Sequence, residues 1–348
     1  MNKGRPNHSG VLFVIMSILL LIIILFSISW GQISVPWCDV VSIIGYNLHI
    51  PGYEELNLSP EQQAVIWHIR LPRVLVGVLV GAALGVSGAV LQGIFGNSLA
   101  DPGIIGVSSG ATLGAVICIA LGLSTTSLFI MPIFALVGSL VAVLLTAFLS
   151  MDKGKISVMV LLLSGVAVSM LMGALTSGIL TMMNENRLRE FLFWMVGGLD
   201  YRRWEHVYLA VGPILIGIIL LCLLARHLNV LVLGDQEAKS VGASVATLRL
   251  LLLLITTITT ATAVCVSGTI GFVGLIVPHI MRLMVGPDHR LLLPASALAG
   301  GLFLVTCDTL GRMMMPPMEI RVGIMTALVG APYFLYLLHK VQKAGGRV

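Results

Sequence analysis

Five cysteines, Cys38, Cys118, Cys222, Cys265 and Cys307, are the first groups here able to bind a metal or form a disulfide. They are scattered, with no C-x-x-C pair and no Cys/His spacing that would close around zinc. The string MDKGKIS at 151–157 is the nearest approach to a phosphate-cradling loop. Leu149 stands where the first glycine of that loop is required, so P-loop binding of ATP is excluded. His279 and Arg282, in VPHIMRLMVGPDHR, could form a ligand or proton-relay pair. Near a helix end such residues more often cap carbonyls or extend a charged head to water. Met313, Met314, Met315 and Met318 could hold a soft metal, although clustered methionines are more often adaptable packing. No Ser/His/Asp set and no paired carboxylates stand out. Neither enzymatic chemistry nor a metal or other cofactor is expected.

Three polar stretches remain. HIRLPR, 68–73, places Arg70 and Arg73 directly before the apolar run VLVGVLVGAALGVSGAVLQ. LQGIFGNSLADPGIIG, 91–106, is a glycine-rich hairpin whose Asn97 and Asp101 are too costly for lipid exposure and must face protein or water. LGDQEAKSVGAS, 233–244, has Gly234 and Gly242 around EAK, which reads as a short amphipathic helix able to seat a soluble partner.

The elements that position these stretches are membrane spans. Hydrophobic residues make up 57% of the chain and charged residues 10%. A soluble domain needs about a quarter of its residues charged. Roughly 20 apolar residues cross a hydrocarbon core, and ten such segments are expected: 11–30, 74–94, 104–122, 127–150, 156–183, 206–225, 250–269, 271–286, 291–307 and 322–339. The boundary inside GTIGFVG, between the seventh and eighth, is the least distinct. Glycines at 77, 81 and 85, and at 106, 110 and 114, line helix faces where backbones approach closely. The chain thus divides into a tail, 1–10, a transmembrane unit, 11–339, and a second tail, 340–348. The unit includes an outer loop, 31–67, read as surface with one short helix, and an inner segment, 233–243.

With both termini cytoplasmic, twelve Lys and Arg fall inside and eight outside, and all six lysines are inside. That bias follows the positive-inside rule. The net charge of +5 therefore reflects topology, and nucleic acid is not an expected partner.

The segments IRLPR, GAALGVSGAVLQGIFGNSLADPGIIGVSSGA, LLLSGVA, WMVGGL, LGDQEAKSVGA, GFVGLIVPHIMRLMVGPDHRLLLPASALAGG and CDTLGR…MEIRVGIMTALVGAPYFLYLL occur in this order. Together, over about residues 65–339, they resemble the FecCD family, the permease subunits of ABC importers for iron-siderophores, haem and cobalamin. The resemblance implies an all-α polytopic fold of ten transmembrane helices in the cytoplasmic membrane. It also implies a homodimer with the path between two copies, two cytoplasmic ATP-binding subunits and an extracytoplasmic substrate-binding protein. It assigns Leu233, Gly234, Asp235, Gln236, Glu237, Ala238, Lys239, Val241 and Gly242 to the loop that couples to the ATPase. Asn97 and Leu99 match inner-gate positions, and Arg70, Arg73 and Arg312 match external arginines that pair with the binding protein's carboxylates. Two residues depart from the family pattern: Ser98 and Arg321 each stand where proline is usual. An ion-coupled secondary transporter is the alternative. It would want acids in mid-span, and no acid lies in the middle of a span, although Asp308 lies at a span end.

Overall fold

The computed structural model describes residues 6–31, 34–53, 59–152, 155–240, 242 and 244–343. The fold is helical. α1 (Pro6–Ser29) is followed by two short helices, α2 (Trp37–Asn47) and α3 (Pro60–Ala64), and by a π-helical turn, Val65–Arg70, that runs directly into α4 (Leu71–Phe95). A 3-10 turn, Pro102–Ile105, leads into α5 (Val107–Ala120) and α6 (Ile130–Leu149). The two-residue strands β1 (Met151–Asp152) and β2 (Lys155–Ile156) pair before α7 (Val158–Leu180). Next come α8 (Glu185–Met195), α9 (Trp204–Leu223), α10 (Ala225–Val232) and α11 (Asp235–Ser240). The chain closes with α12 (Val245–Ser267), α13 (Val273–Val285), α14 (His289–Met313) and α15 (Val322–Lys343).

Each of the ten expected spans corresponds to one helix. Among the described residues, seven helical segments are long and apolar enough to cross a membrane, and α5, α13 and α15 supply shorter apolar stretches. α4 is the axle: 83% of its apolar window is buried, against 17% for α1, so α1 lies at the periphery. Around α4 pack α14, α12, α13 and α9, while α5, α6 and α7 form a second group joined to it through α12.

The glycine faces explain the closest of these contacts. A Cβ at Gly81 would overlap the Gly300 carbonyl oxygen, and one at Gly300 would overlap that of Gly81. Gly110 and Gly138 stand in the same reciprocal relation between α5 and α6. Small residues let these backbones touch, which is how helices associate where lipid removes the hydrophobic drive. Gly106 differs from the expected stripe. It precedes α5 with φ 91°, a left-handed turn residue and not a packing residue.

Three boundaries differ from expectation. The stretch 31–67 holds two helices, α2 and α3, and the start of the π-turn, because Trp37–Asn47 buries Val40 and Ile43 against α1 and the π-turn. The π-turn has its own cause. Pro72 has no N–H for the His68 carbonyl and its ring crowds the preceding turn, so the helix widens just before it. α1 begins at Pro6 and α15 reaches Lys343, both inside segments expected to be tails. The GTIGFVG boundary falls at 268–272. Gly268, at φ 71° and ψ −168°, adopts a conformation essentially restricted to glycine and lies against the Trp194 carbonyl.

Candidate functional site

α4 has 25 residues and spans about 37 Å. Its two ends therefore separate the polar features into two clusters.

The first cluster surrounds Arg73. Its guanidinium grips Asp308 side-on, with Nε to Oδ2 at 3.0 Å and Nη2 to Oδ1 at 2.8 Å. Nη1 reaches Glu319 at 2.8 Å and Nη2 reaches Asp200 at 3.3 Å. Arg312 joins through Nε to Asp308 Oδ2 at 3.4 Å, one helical turn away, and Arg321 through Nε to Asp200 Oδ2 at 3.4 Å. Arg321 also lies over the Phe193 ring, 4.6 Å from its centroid, and donates to the Phe193 carbonyl. Three cations meet three acids, and α4, α14 and the loops at 196–203 and 314–321 are tied into one neutral knot. Beside it, Arg70 Nη1 donates to the carbonyls of Ile28 and Ser29 at 2.8 and 3.0 Å. Arg312 Nη2 donates to the carbonyl of Ser27 at 3.0 Å.

The structure therefore brings Arg70, Arg73 and Arg312 to one end of the molecule, and not as free surface charges. Arg70 is 5% exposed and Arg73 7%. The physical reason is cost. A guanidinium at the end of a buried helix is tolerated when carboxylates or carbonyls satisfy its donors. The acids that do so, Asp200, Asp308 and Glu319, were not singled out as partners from the sequence. Only the Asp308–Arg312 pair, four residues apart on one helix, carried a local signal for it.

A basin of about 600 Å³ opens onto this knot, lined by Arg73, Glu319, Arg321, His68, Tyr201, Arg202 and Arg203 among others. Arg202 is held by the His206 ring at 3.3 Å and the Gly198 carbonyl at 3.4 Å, with no ion pair among the described residues. Burial and the neighbouring charges of Arg321 and Arg73, opposed by Asp200, lower its pKa to about 10, so it remains a cation at neutral pH. Tyr201 projects beside it from a left-handed backbone, φ 57°. Met314, Met315 and Met318 are exposed near this end, and no group of three His, Cys, Asp or Glu able to hold a metal exists among the described residues.

The second cluster lies at the other end of α4. α11 forms over Asp235–Ser240 between Gly234 at φ 123° and Gly242 at φ 80°, so the expected short helix is present with a turn at each side. Ala238 is buried, while Gln236, Glu237 and Lys239 are exposed and Leu233 is 69% exposed. Asp235 pins the helix by accepting from Arg249 at 2.9 Å. Val241 falls outside the described residues. Close by, Asn97 and Leu99 form the hairpin after α4: Asn97 Oδ1 accepts from the Leu99 N–H at 2.9 Å, a turn that fixes both. Asp101 caps the 3-10 turn by accepting from the Gly103 N–H at 2.8 Å. Ser98 is accommodated in this hairpin without proline.

The chain as a whole is similar to known proteins. The model of the FecCD transport family matches residues 19–340. The cobalamin import system permease protein BtuC of Halobacterium salinarum is 47% identical over 82% of this chain and 76% of its own length. The hemin transport system permease protein HmuU of Yersinia pestis is 43% identical over 80% of this chain and 86% of its own. A solved ABC transporter of metal-chelate type, in an inward-facing conformation, superposes with a TM-score of 0.83 at 34% identity, covering 95% of this chain and 99% of that one. With the helical order, the arginine knot and the flanked helix α11 all falling inside that match, the chain belongs to the FecCD transport family.

Proposed function

We propose that this protein is the membrane permease subunit of an ATP-driven importer, and that it works as a homodimer with two cytoplasmic ATPase subunits and an extracytoplasmic binding protein. One observation carries the reading. The family match runs almost the whole length of the chain and includes both polar ends, where an importer must meet two different soluble partners. The cargo is a metal chelate of the siderophore, haem or cobalamin type. Relatives named for cobalamin and for hemin support that class without choosing within it. The arginine end faces outward and the α11 end faces the cytoplasm of a bacterial cell, with both termini inside.

In this reading α11 is the element pushed by the ATPase, and the hairpin holding Asn97 and Leu99 closes the inner end of the path. Arg202 and Arg203 draw in the binding protein's carboxylates. Arg73 receives them by exchange, since Glu319 is partly exposed and can yield its place on it, with Arg70 and Arg312 adding positive charge beside it. Charges at such a rim raise association rate more than affinity. An ion-coupled secondary transporter is not supported. Asp308, the buried acid of α14, is held on both oxygens by Arg73.

Reconstituted uptake tests the reading. Haem, cobalamin and ferric siderophores are each offered with the cognate binding protein, with and without the partner ATPase. Cargo uptake that needs ATP hydrolysis supports it, and uptake driven by an ion gradient alone overturns it. Orientation is checked with single cysteines. Tyr201→Cys should react with an impermeant thiol reagent in right-side-out vesicles, and Lys239→Cys should not.

A further inference from the structure

The α11 end holds a second cavity, of about 390 Å³, room for roughly a dozen water-sized groups. It lies between the end of α4, the last residue of α10, the end of α13 and the start of α14. Of the fifteen buried side-chain polar atoms without a hydrogen-bond partner among the described residues, five line it: Gln92 Oε1, Ser98 Oγ, both ring nitrogens of His279, and His289 Nε2. Buried polar groups are nearly always satisfied, so five in one place mark a site for a polar occupant.

The chemistry of that occupant follows from the lining. Arg282 is half-buried, lies near both imidazoles and makes no ion pair among the described residues. No carboxylate among the described residues lines the cavity. Asp288, between two lining residues, is turned instead to Asn229 at 2.7 Å and Arg290 at 3.2 Å. An anion is therefore favoured. Yet the occupant must also donate hydrogen bonds. His289 Nδ1 donates to Asn229 Oδ1 at 2.7 Å, which leaves Nε2 as an acceptor. Gln92 uses its amide N–H groups on the carbonyls of Gly274 and Leu275, which leaves Oε1 as an acceptor. An oxyanion that also carries hydroxyls satisfies both demands. The rim is apolar: Leu283 is 73% exposed and Val232 48%. A free ion has no use for such a rim, whereas an acyl chain does.

From this juxtaposition we infer that the cavity binds an anionic phospholipid whose headgroup bears hydroxyls, of the phosphatidylglycerol kind. Its phosphate accepts from Arg282, the Ser98 hydroxyl and His279. Its hydroxyls donate to Gln92 Oε1 and His289 Nε2, and its chains lie along Leu283 and Val232. Basic cavities between helix ends are where membrane proteins select such lipids. The site goes beyond transport itself. It places a specific lipid between the hairpin at 97–99 and the root of α11.

The test uses the full chain, without cargo or ATPase, so its outcome is independent of the transport reading. The purified permease is exposed to vesicles of phosphatidylcholine with a minor fraction of phosphatidylglycerol, extracted, and weighed by native mass spectrometry. Wild type should retain phosphatidylglycerol selectively. Arg282→Gln should lower retention about fivefold, the share of one cation near a surface, and Arg282→Lys should restore part of it. Arg290→Gln, exposed and outside the cavity, should retain as wild type does. Ser98→Ala gives a variant with little risk to the fold and should weaken retention. Millimolar inorganic phosphate should leave the lipid in place, and displacement by it would assign the cavity to a free oxyanion. Retention equal to that of phosphatidylcholine, or unchanged by Arg282→Gln, would overturn the proposal.

Discussion

The two ends of α4 handle charge in opposite ways. At the arginine end, Arg73, Arg312 and Arg321 are matched by Asp308, Asp200 and Glu319, and four separate segments converge on the match. At the other end Arg282 has no ion pair among the described residues, Asp235 is half-exposed, and a short helix stands between two left-handed glycines. A neutral knot resists motion because breaking its inner pair, Arg73 with Asp308, strands a buried charge. An end with few internal pairs resists little and has valences left for partners. The difference is one of stability within one molecule, and mobile, partner-facing elements are drawn from the less stable part.

Breaking the knot should give the largest effect. Arg73→Ala leaves Asp308 buried with only the longer contact to Arg312. Loss of one partner of a buried pair costs about 3–5 kcal/mol, so a large fall in thermal stability in detergent is expected. Arg73→Lys keeps the charge but not the side-on grip, and should recover part of the loss. If Arg73→Ala melts like wild type, the knot is not what holds this end.

The α11 end, if it couples to the ATPase as proposed, should show the reverse pattern, with function lost and fold kept. Glu237→Lys should leave the melting temperature unchanged, and Gly242→Trp, strained at φ 80°, should lower it only by the cost of one left-handed residue, about 1–2 kcal/mol. Binding-protein-stimulated ATP hydrolysis and uptake should fall together, by about tenfold, in the usual range of coupling energies. Full stimulated hydrolysis in both variants would remove α11 from the coupling role.

Smaller effects sharpen the contrast. Arg321→Gln removes the stack on Phe193 and the Asp200 contact, and should cost about 0.5–1 kcal/mol. Asp235→Asn breaks a partly exposed pair and should cost about 0.5 kcal/mol or less in a chemical denaturation series. A reversal of this order would mean that the open end is the more tightly built.

What the sequence revealed follows from the same physics. Lipid demands that each span satisfy its own backbone, so the ten helices announce themselves as apolar runs. α11 was legible because Gly234 and Gly242 mark its limits. The knot was not. Asp200, Asp308 and Glu319 lie 127, 235 and 246 residues from Arg73, and nothing local says which acid will meet which arginine. Arg70 and Arg73 were visible as unusual, but whether they face a partner or the protein's own carbonyls is decided by packing. The cavity near His279 and Arg282 was half-visible in VPHIMR, and its orphaned atoms became apparent only when Gln92 and Ser98 were brought beside it.

Arg70 and Arg312 also close the end of α1, whose last carbonyls, at Ser27, Ile28 and Ser29, have no helical partner of their own. This has a consequence for biogenesis. α1 leaves the ribosome first, and the arginine that clasps Ser27 follows 285 residues later. At about 5–20 residues per second, that interval lasts roughly a quarter of a minute to a minute. During it Arg70, 41 residues beyond Ser29, is already available for Ile28 and Ser29, and only the Ser27 carbonyl waits for its arginine. A chain truncated before residue 312 keeps that one carbonyl unclasped, which should make unfinished copies more easily cut near Ser27 than complete ones.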